Sequence, residues 1–193
     1  MEASPSGRPA CRDCTGLYAL VNYIPDPLGA YLNELRAELV PGCTLRSHVT
    51  LLPPRVLLAP QDELIRELEE RLPYLDSFHV TLGEIEVFES TGVIYLGLRQ
   101  GQRELLAIHA SLSDGMFAYD EPFPFHPHIT LAQEIPAERL QKCMNHAHAR
   151  WQAWSHDRSF PVMNLAFVRN VTPARWEHLS EHVLQPARLL RTA

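Results

Sequence analysis

Ser47-His48-Val49-Thr50-Leu51 and Pro127-His128-Ile129-Thr130-Leu131 are near-copies of one pentapeptide, eighty positions apart in a chain of 193 residues. Each sets its histidine and threonine among aliphatic residues and lies next to prolines, Pro53-Pro54 after the first and Pro122 to Pro127 before the second. That pattern reads as a short strand. Side chains alternate along a strand, so His48 shares a face with Thr50 and His128 with Thr130, while Val49, Leu51, Ile129 and Leu131 turn toward a core. Two such strands laid side by side bring two imidazoles and two hydroxyls to one cleft.

The flanking sequence supplies two sets of elements around these strands. Gly16 to Ile24 is apolar, reads as a buried strand and stops at Pro25-Asp26-Pro27. Leu28, Tyr31, Leu32, Leu35 and Leu39 recur at helical spacing up to Pro41-Gly42. Ser47 to Leu52 is the first motif strand, closed by the two prolines. Leu64, Ile65, Leu68 and Leu72 predict a second helix, with Asp62 and Glu63 in its first turn, ending before Pro73. Strands at Phe78 to Phe88 and Val93 to Leu98 are joined by Glu89-Ser90-Thr91-Gly92, a polar link suited to a hairpin. A third helix covers Leu105 to Leu112 and extends to about Met116. The second motif strand, His128 to Gln133, leads to a helix over Pro136 to Trp154 and a strand at Val162 to Arg169. Trp176 to Leu184 reads equally as strand or helix. The order predicts an α+β fold of two halves that share a core. Residues 1–10 are expected to be disordered, 11–187 to form a single domain, and 188–193 to be a tail.

Composition narrows the function. Hydrophobic residues make up 46% and charged residues 21%, as in folded globular chains. A net charge of -6 argues against the broad basic surface that neutralises many phosphates of a duplex, so a nucleic-acid substrate is expected to be met locally. The apolar runs are too short to span a bilayer, and Met1 to Pro9 lacks the core of a signal peptide. A cytoplasmic monomer without a membrane partner is the expectation. Cys11 and Cys14 form one C-x-x-C without a second pair to complete a zinc ribbon, which favours free cysteines. His126/His128, His146/His148 and His178/His182 have metal-like spacings, but none has a carboxylate or cysteine placed to complete a third ligand, and no metal or cofactor is expected. G-x-S-x-G, P-loop and G-x-G-x-x-G patterns are absent from the sequence.

Two histidines and two threonines suit phosphodiester chemistry. Imidazole serves as base or acid near neutral pH, and hydroxyls hold the non-bridging oxygens. The paired H-x-T-L motifs, with Phe78 to Leu98 and Phe125-His126 before the second motif, resemble the 2H phosphoesterase superfamily and, within it, the 2'-5' RNA ligase family of RNA cyclic phosphodiesterases. The resemblance runs from about Leu17 to Val183. It implies a bilobal fold, two pseudo-symmetric halves with antiparallel sheets around a central cleft and helices outside. It also implies catalytic His48 and His128, phosphate-holding Thr50 and Thr130, and no metal. The implied reaction is metal-independent hydrolysis of a 2',3'-cyclic phosphate end of RNA to a 2'-phosphate, with minor 2'-5' ligation as its reverse. His128 would then be the base and His48 the acid, although sequence symmetry leaves the order open.

A third copy, His79-Val80-Thr81-Leu82, begins the segment similar to the family's structural strand pair and is read as structural. Many family members carry a basic residue where this chain has Gln133. Arg55 is taken as its replacement at the phosphate, with Arg46, His126 and Phe125 as further cleft candidates. Tyr23, Phe123, Phe125 and Trp176 are aromatic candidates for stacking on a base, with core or rim packing as the alternative. Two other readings stay open: a phosphodiesterase of a small cyclic nucleotide or ADP-ribose cyclic phosphate, and a non-catalytic module that binds RNA ends or nucleotides.

Overall fold

The computed structural model describes residues 16–172 and 175–186. The expected disordered segment 1–10, the Cys11/Cys14 pair and the tail 188–193 lie outside them. The chain runs β1 (Tyr18–Tyr23), α1 (Leu28–Leu39), β2 (His48–Arg55), α2 (Gln61–Arg71), β3 (Phe78–Phe88), β4 (Val93–Gln100), α3 (Gln102–Leu112), β5 (Ile129–Ala132), α4 (Ala137–Ala153), β6 (Ser159–Val162), β7 (Asn164–Thr172) and β8 (Arg175–Val183). Short 3-10 turns lie at Leu72–Tyr74 and Gly115–Phe117.

Two four-stranded antiparallel sheets result, ordered β2-β1-β7-β8 and β5-β4-β3-β6. The motif strands β2 and β5 are thus both edge strands, and they lie against each other where the sheets meet. Helix α1 packs on β5 and α4, α2 on β8, and α3 on β2 and β4. One apolar core runs through both halves, from Leu20, Leu32 and Leu51 to Leu96, Ile129, Trp151 and Phe160. Helix side chains tie its parts together. The Trp151 indole donates to the Gly83 carbonyl at 2.9 Å, and the Tyr31 hydroxyl to the Arg150 carbonyl at 2.5 Å.

The fold is the expected α+β architecture, with three local corrections. The single strand expected at Val162 to Arg169 is two strands in different sheets. Phe160 and Val162 are buried, then Leu165 and Phe167; the alternation slips at Met163-Asn164, where the chain changes sheet. The ambiguous Trp176 to Leu184 forms β8, paired with β7. The first motif strand does not end at Pro53-Pro54 but continues to Arg55. An edge strand tolerates prolines because their missing N–H groups leave no ladder bond unmade.

Helix α1 leaves β1 through a tight bend. A Cβ at Gly29 would collide with the Ile24 carbonyl oxygen, a backbone atom that cannot swing aside. Gly29→Ala is therefore expected to cost about 1–3 kcal/mol, the usual penalty of overpacking. Urea unfolding measures it, and an unchanged midpoint would show that the bend has slack.

Candidate functional site

The first half of the site is built by β1 and β2. Tyr23 lies opposite His48 in the ladder and Val21 opposite Thr50, so these four side chains share the face turned away from the main core. Helix α1 fixes the entry to the strand: the Asn33 side-chain oxygen accepts from the Ser47 N–H at 2.6 Å, and the Ile24 N–H donates to the Ser47 carbonyl at 3.1 Å. The Tyr23 ring meets His48 edge-on at 6.2 Å, and the exposed Arg46 lays its guanidinium over Tyr23 at 4.1 Å. On the same face, Ala19, Val21, Ala166 and Val168 make a small apolar floor beside Tyr23 and Trp176.

The second half comes from β3, β4 and β5. Tyr95 pairs with Thr130 across the ladder. Phe88 and Tyr95 stack at 4.1 Å, and each ring meets His128 edge-on at 5.2 Å. Both also touch the exposed His126, at 5.5 and 5.7 Å. The Tyr95 hydroxyl donates to Glu86 at 2.9 Å, and burial followed by that carboxylate pushes its pKa up to about 12. Tyr95 is thus a neutral wall.

Both imidazoles are oriented in the same way. His48 Nδ1 lies 2.8 Å from the Arg46 carbonyl, and His128 Nδ1 lies 2.6 Å from the His126 carbonyl. A carbonyl only accepts, so in each neutral ring Nδ1 carries the proton and Nε2 keeps its lone pair. His128 Nε2 accepts from the Thr130 hydroxyl at 3.1 Å. Burial pushes the His48 pKa down to about 4, opposed by the Arg46 carbonyl and reinforced by Arg36 and by His128 itself. His128 is also held below 6.5, again chiefly by burial. The free site therefore presents two neutral imidazoles whose Nε2 atoms can accept or relay a proton.

The structure thus brings His48, Thr50, His128 and Thr130 to the meeting edges of the two sheets, with the backbone carbonyls of Arg46 and His126 setting the ring orientations. Arg55 is a correction. Its side chain is 1% exposed, and its guanidinium is consumed by the Pro53 carbonyl at 3.0 Å, the Phe117 carbonyl at 2.9 Å and an ion pair with Glu121. Continuation of β2 past the prolines carries it into the protein and away from any phosphate. Phe125 also departs from its expected place: it stacks on His109 at 3.8 Å and lines a separate cavity with Ser113, Tyr119 and Glu121. His79 is exposed on β3, nine positions before Phe88 and so roughly 30 Å along the strand from the second motif's aromatic wall.

The spacing of His178 and His182 fits an exposed helix or edge. They lie on the edge strand β8, but His182 is buried and bonded to Ser180 at 2.8 Å. His146 pairs with Glu38 at 2.7 Å. Among the described residues, no three His, Cys, Asp or Glu side chains cluster as metal ligands, and no helix is long and apolar enough to cross a membrane. Sequence reasoning misses Phe88 and Tyr95, although each alternates with core residues of its strand. It also misses Arg36, whose place on the apolar stripe of α1, four positions after Leu32, is a legible signal.

Two sheets that present one H-x-T strand each at a shared seam define a 2H phosphoesterase fold. The model of the 2'-5' RNA ligase superfamily matches residues 24–173, and the chain belongs to that superfamily. A curated protein of Oceanobacillus iheyensis, named "Putative phosphoesterase OB1230", is 30% identical over 95 residues, which are 45% of this chain; the chain spans 55% of that relative's length. LigT of E. coli superposes with a TM-score of 0.60 at 19% identity, covering 89% of this chain and 99% of LigT. TT0787 of Thermus thermophilus gives 0.58 at 19% identity, covering 89% of this chain and 99% of its own. These solved structures establish the likeness of fold.

Proposed function

We propose that the protein hydrolyses 2',3'-cyclic phosphate ends of RNA to 2'-phosphates without a metal ion, using His48 and His128 as its proton-transfer pair. The observation that carries this reading is the matched orientation of the two rings, each with Nδ1 tied to the carbonyl two residues earlier and Nε2 left for chemistry. Water adds to phosphorus and gives its proton to one Nε2. The bond from phosphorus to the 3' oxygen breaks, and the other histidine, protonated in the complex, returns a proton to that oxygen. Thr50 and Thr130 hold the non-bridging oxygens, and Tyr23, with the apolar floor beside it, receives the base. Crystal structures of LigT with 3'-AMP and with NADP+ are consistent with a phosphate-bearing nucleotide as ligand class. The acidic net charge keeps a small cyclic phosphate as the second reading.

The test is turnover, in excess EDTA, of an oligonucleotide with a 2',3'-cyclic phosphate end against the matching mononucleotide. Formation of a 2'-phosphate on the oligonucleotide supports the reading. Turnover of the mononucleotide alone transfers the activity to small substrates, and inactivity on both with tight binding makes the cleft a binding module.

The depressed histidine pKa values also set the pH dependence. Below about 4 both free imidazoles are protonated and the base is lost; above the lowered pKa of His128 both are neutral and the acid is lost. The kcat/KM profile is expected to be a bell with its maximum between about 4 and 6.5. A profile that rises steadily above pH 7 would contradict two-histidine catalysis.

A further inference from the structure

Arg36 projects from the buried face of α1 and is 6% exposed. One of its terminal N–H groups donates to the carbonyl of Thr130, the other faces the Cys43 sulfur at 3.8 Å, and its Nε is buried with no partner. Arg55, Arg71, Arg99, Arg150 and Arg169 each pair with a carboxylate, whereas no described acidic residue pairs with Arg36. A buried guanidinium without an anion is costly. The carboxyl-terminal end of α1 offsets part of the charge, at most about half an elementary unit.

The groups around it do not supply the rest. Glu38 on the same helix is held by His146 and Arg150 of α4. Cys43 contributes a thiol and β5 the Thr130 carbonyl; His48 stands on β2, which packs against β5, and its proton affinity is lowered by Arg36 and by His128, while Tyr23 on β1 lies under Arg46. No described carboxylate supplies the counter-charge, and the strand whose carbonyl Arg36 holds, β5, carries Thr130 and packs against the His48 strand β2.

We propose that Arg36 is the fixed cation of that cleft, a positioning residue that pins the second motif strand to α1 and sets the electrostatic field in which His48 meets an anionic phosphodiester. The inference rests on the phosphoesterase reading of the same site. In the free protein the guanidinium helps keep His48 neutral. A bound phosphodiester anion cancels that field, so His48 takes up a proton as substrate arrives and becomes able to act as the acid. Arg36 tunes the proton affinity of His48 and fixes Thr130 without contacting the reacting atoms.

Arg36→Gln keeps a donor for the Thr130 carbonyl and removes the charge, while Arg36→Lys keeps the charge. NMR titration of the His48 ring, with and without inorganic phosphate, reads the effect independently of turnover. The expected result is a His48 midpoint that moves up in the Gln variant and stays in place in the Lys variant, with a smaller response to phosphate in Gln than in wild type. On the cyclic-phosphate oligonucleotide, kcat/KM falls about 100-fold in Gln and recovers in part in Lys. An unmoved midpoint in Gln, or an equal shift in both variants, overturns the proposal. Should the Gln variant fail to fold, the wild type decides: phosphate must raise the His48 midpoint, and a fixed midpoint overturns the inference. If wild type does not turn over cyclic-phosphate RNA, the substrate assignment fails while the titration still tests Arg36.

Discussion

His48→Ala and His128→Ala are each expected to lower kcat on a cyclic-phosphate-ended oligonucleotide by about 1,000-fold or more, within the range for loss of a positioned acid or base. The two rings act on one displacement, so the double variant should be scarcely worse than either single one. His79→Ala, in the third copy of the motif, should retain wild-type kcat because that ring is exposed on β3, well away from the seam of the sheets. A substrate with sulfur in place of the 3' oxygen separates the two roles. A thiolate departs without an acid, given a thiol pKa near 8.5, so sulfur rescues only the variant that lacks the acid. Rescue of His48→Ala would match the order implied by family resemblance. Rescue of His128→Ala would instead make His48 the base and would contradict its protonation on substrate binding. Full activity in either alanine variant would remove the two-histidine mechanism.

Arg55→Ala is expected to destabilise the fold by about 3 kcal/mol, the lower end of the range for breaking a buried pair, because Glu121 remains partly exposed at 16%. The substitution leaves the Glu121 carboxylate facing the His109 ring, 3.4 Å away, in place of a guanidinium, and leaves the Phe117 carbonyl without its Arg55 donor. Arg55→Met combined with Glu121→Gln should recover much of the loss, since exchanging the whole pair leaves no unpaired charge. Urea unfolding measures all three proteins. Values of kcat/KM per folded molecule should match wild type, and a variant of unchanged stability with impaired KM would return Arg55 to the phosphate.

The contrast between Arg55 and Arg36 shows where local reading stops. An arginine just after the first motif and two prolines reads as a cation for the phosphate, yet β2 continues as an edge strand and Arg55 meets Glu121, 66 positions later in the chain. Arg36 looks like one more charge on a surface helix. Its register with Leu28 and Leu32 already places it inward, but nothing local says that it meets the carbonyl of Thr130, 94 positions away. Phe125 lies next to the motif in sequence and so reads as a cleft residue, yet His109 from α3 captures its ring on another side.

By itself the sequence determined the helical stripe of α1, the alternation that gives His48 and Thr50 one face and His128 and Thr130 another, and the kinship of the two motifs. These follow from periodicities of two and 3.6 residues, which neighbouring side chains fix. Only the tertiary structure decided that both motif strands are edges, that they meet, that β7 and β8 join the sheet of the first motif, and which arginine reaches the carbonyl of Thr130. Those outcomes depend on burial and pairing between residues far apart in the chain, which local periodicity does not encode.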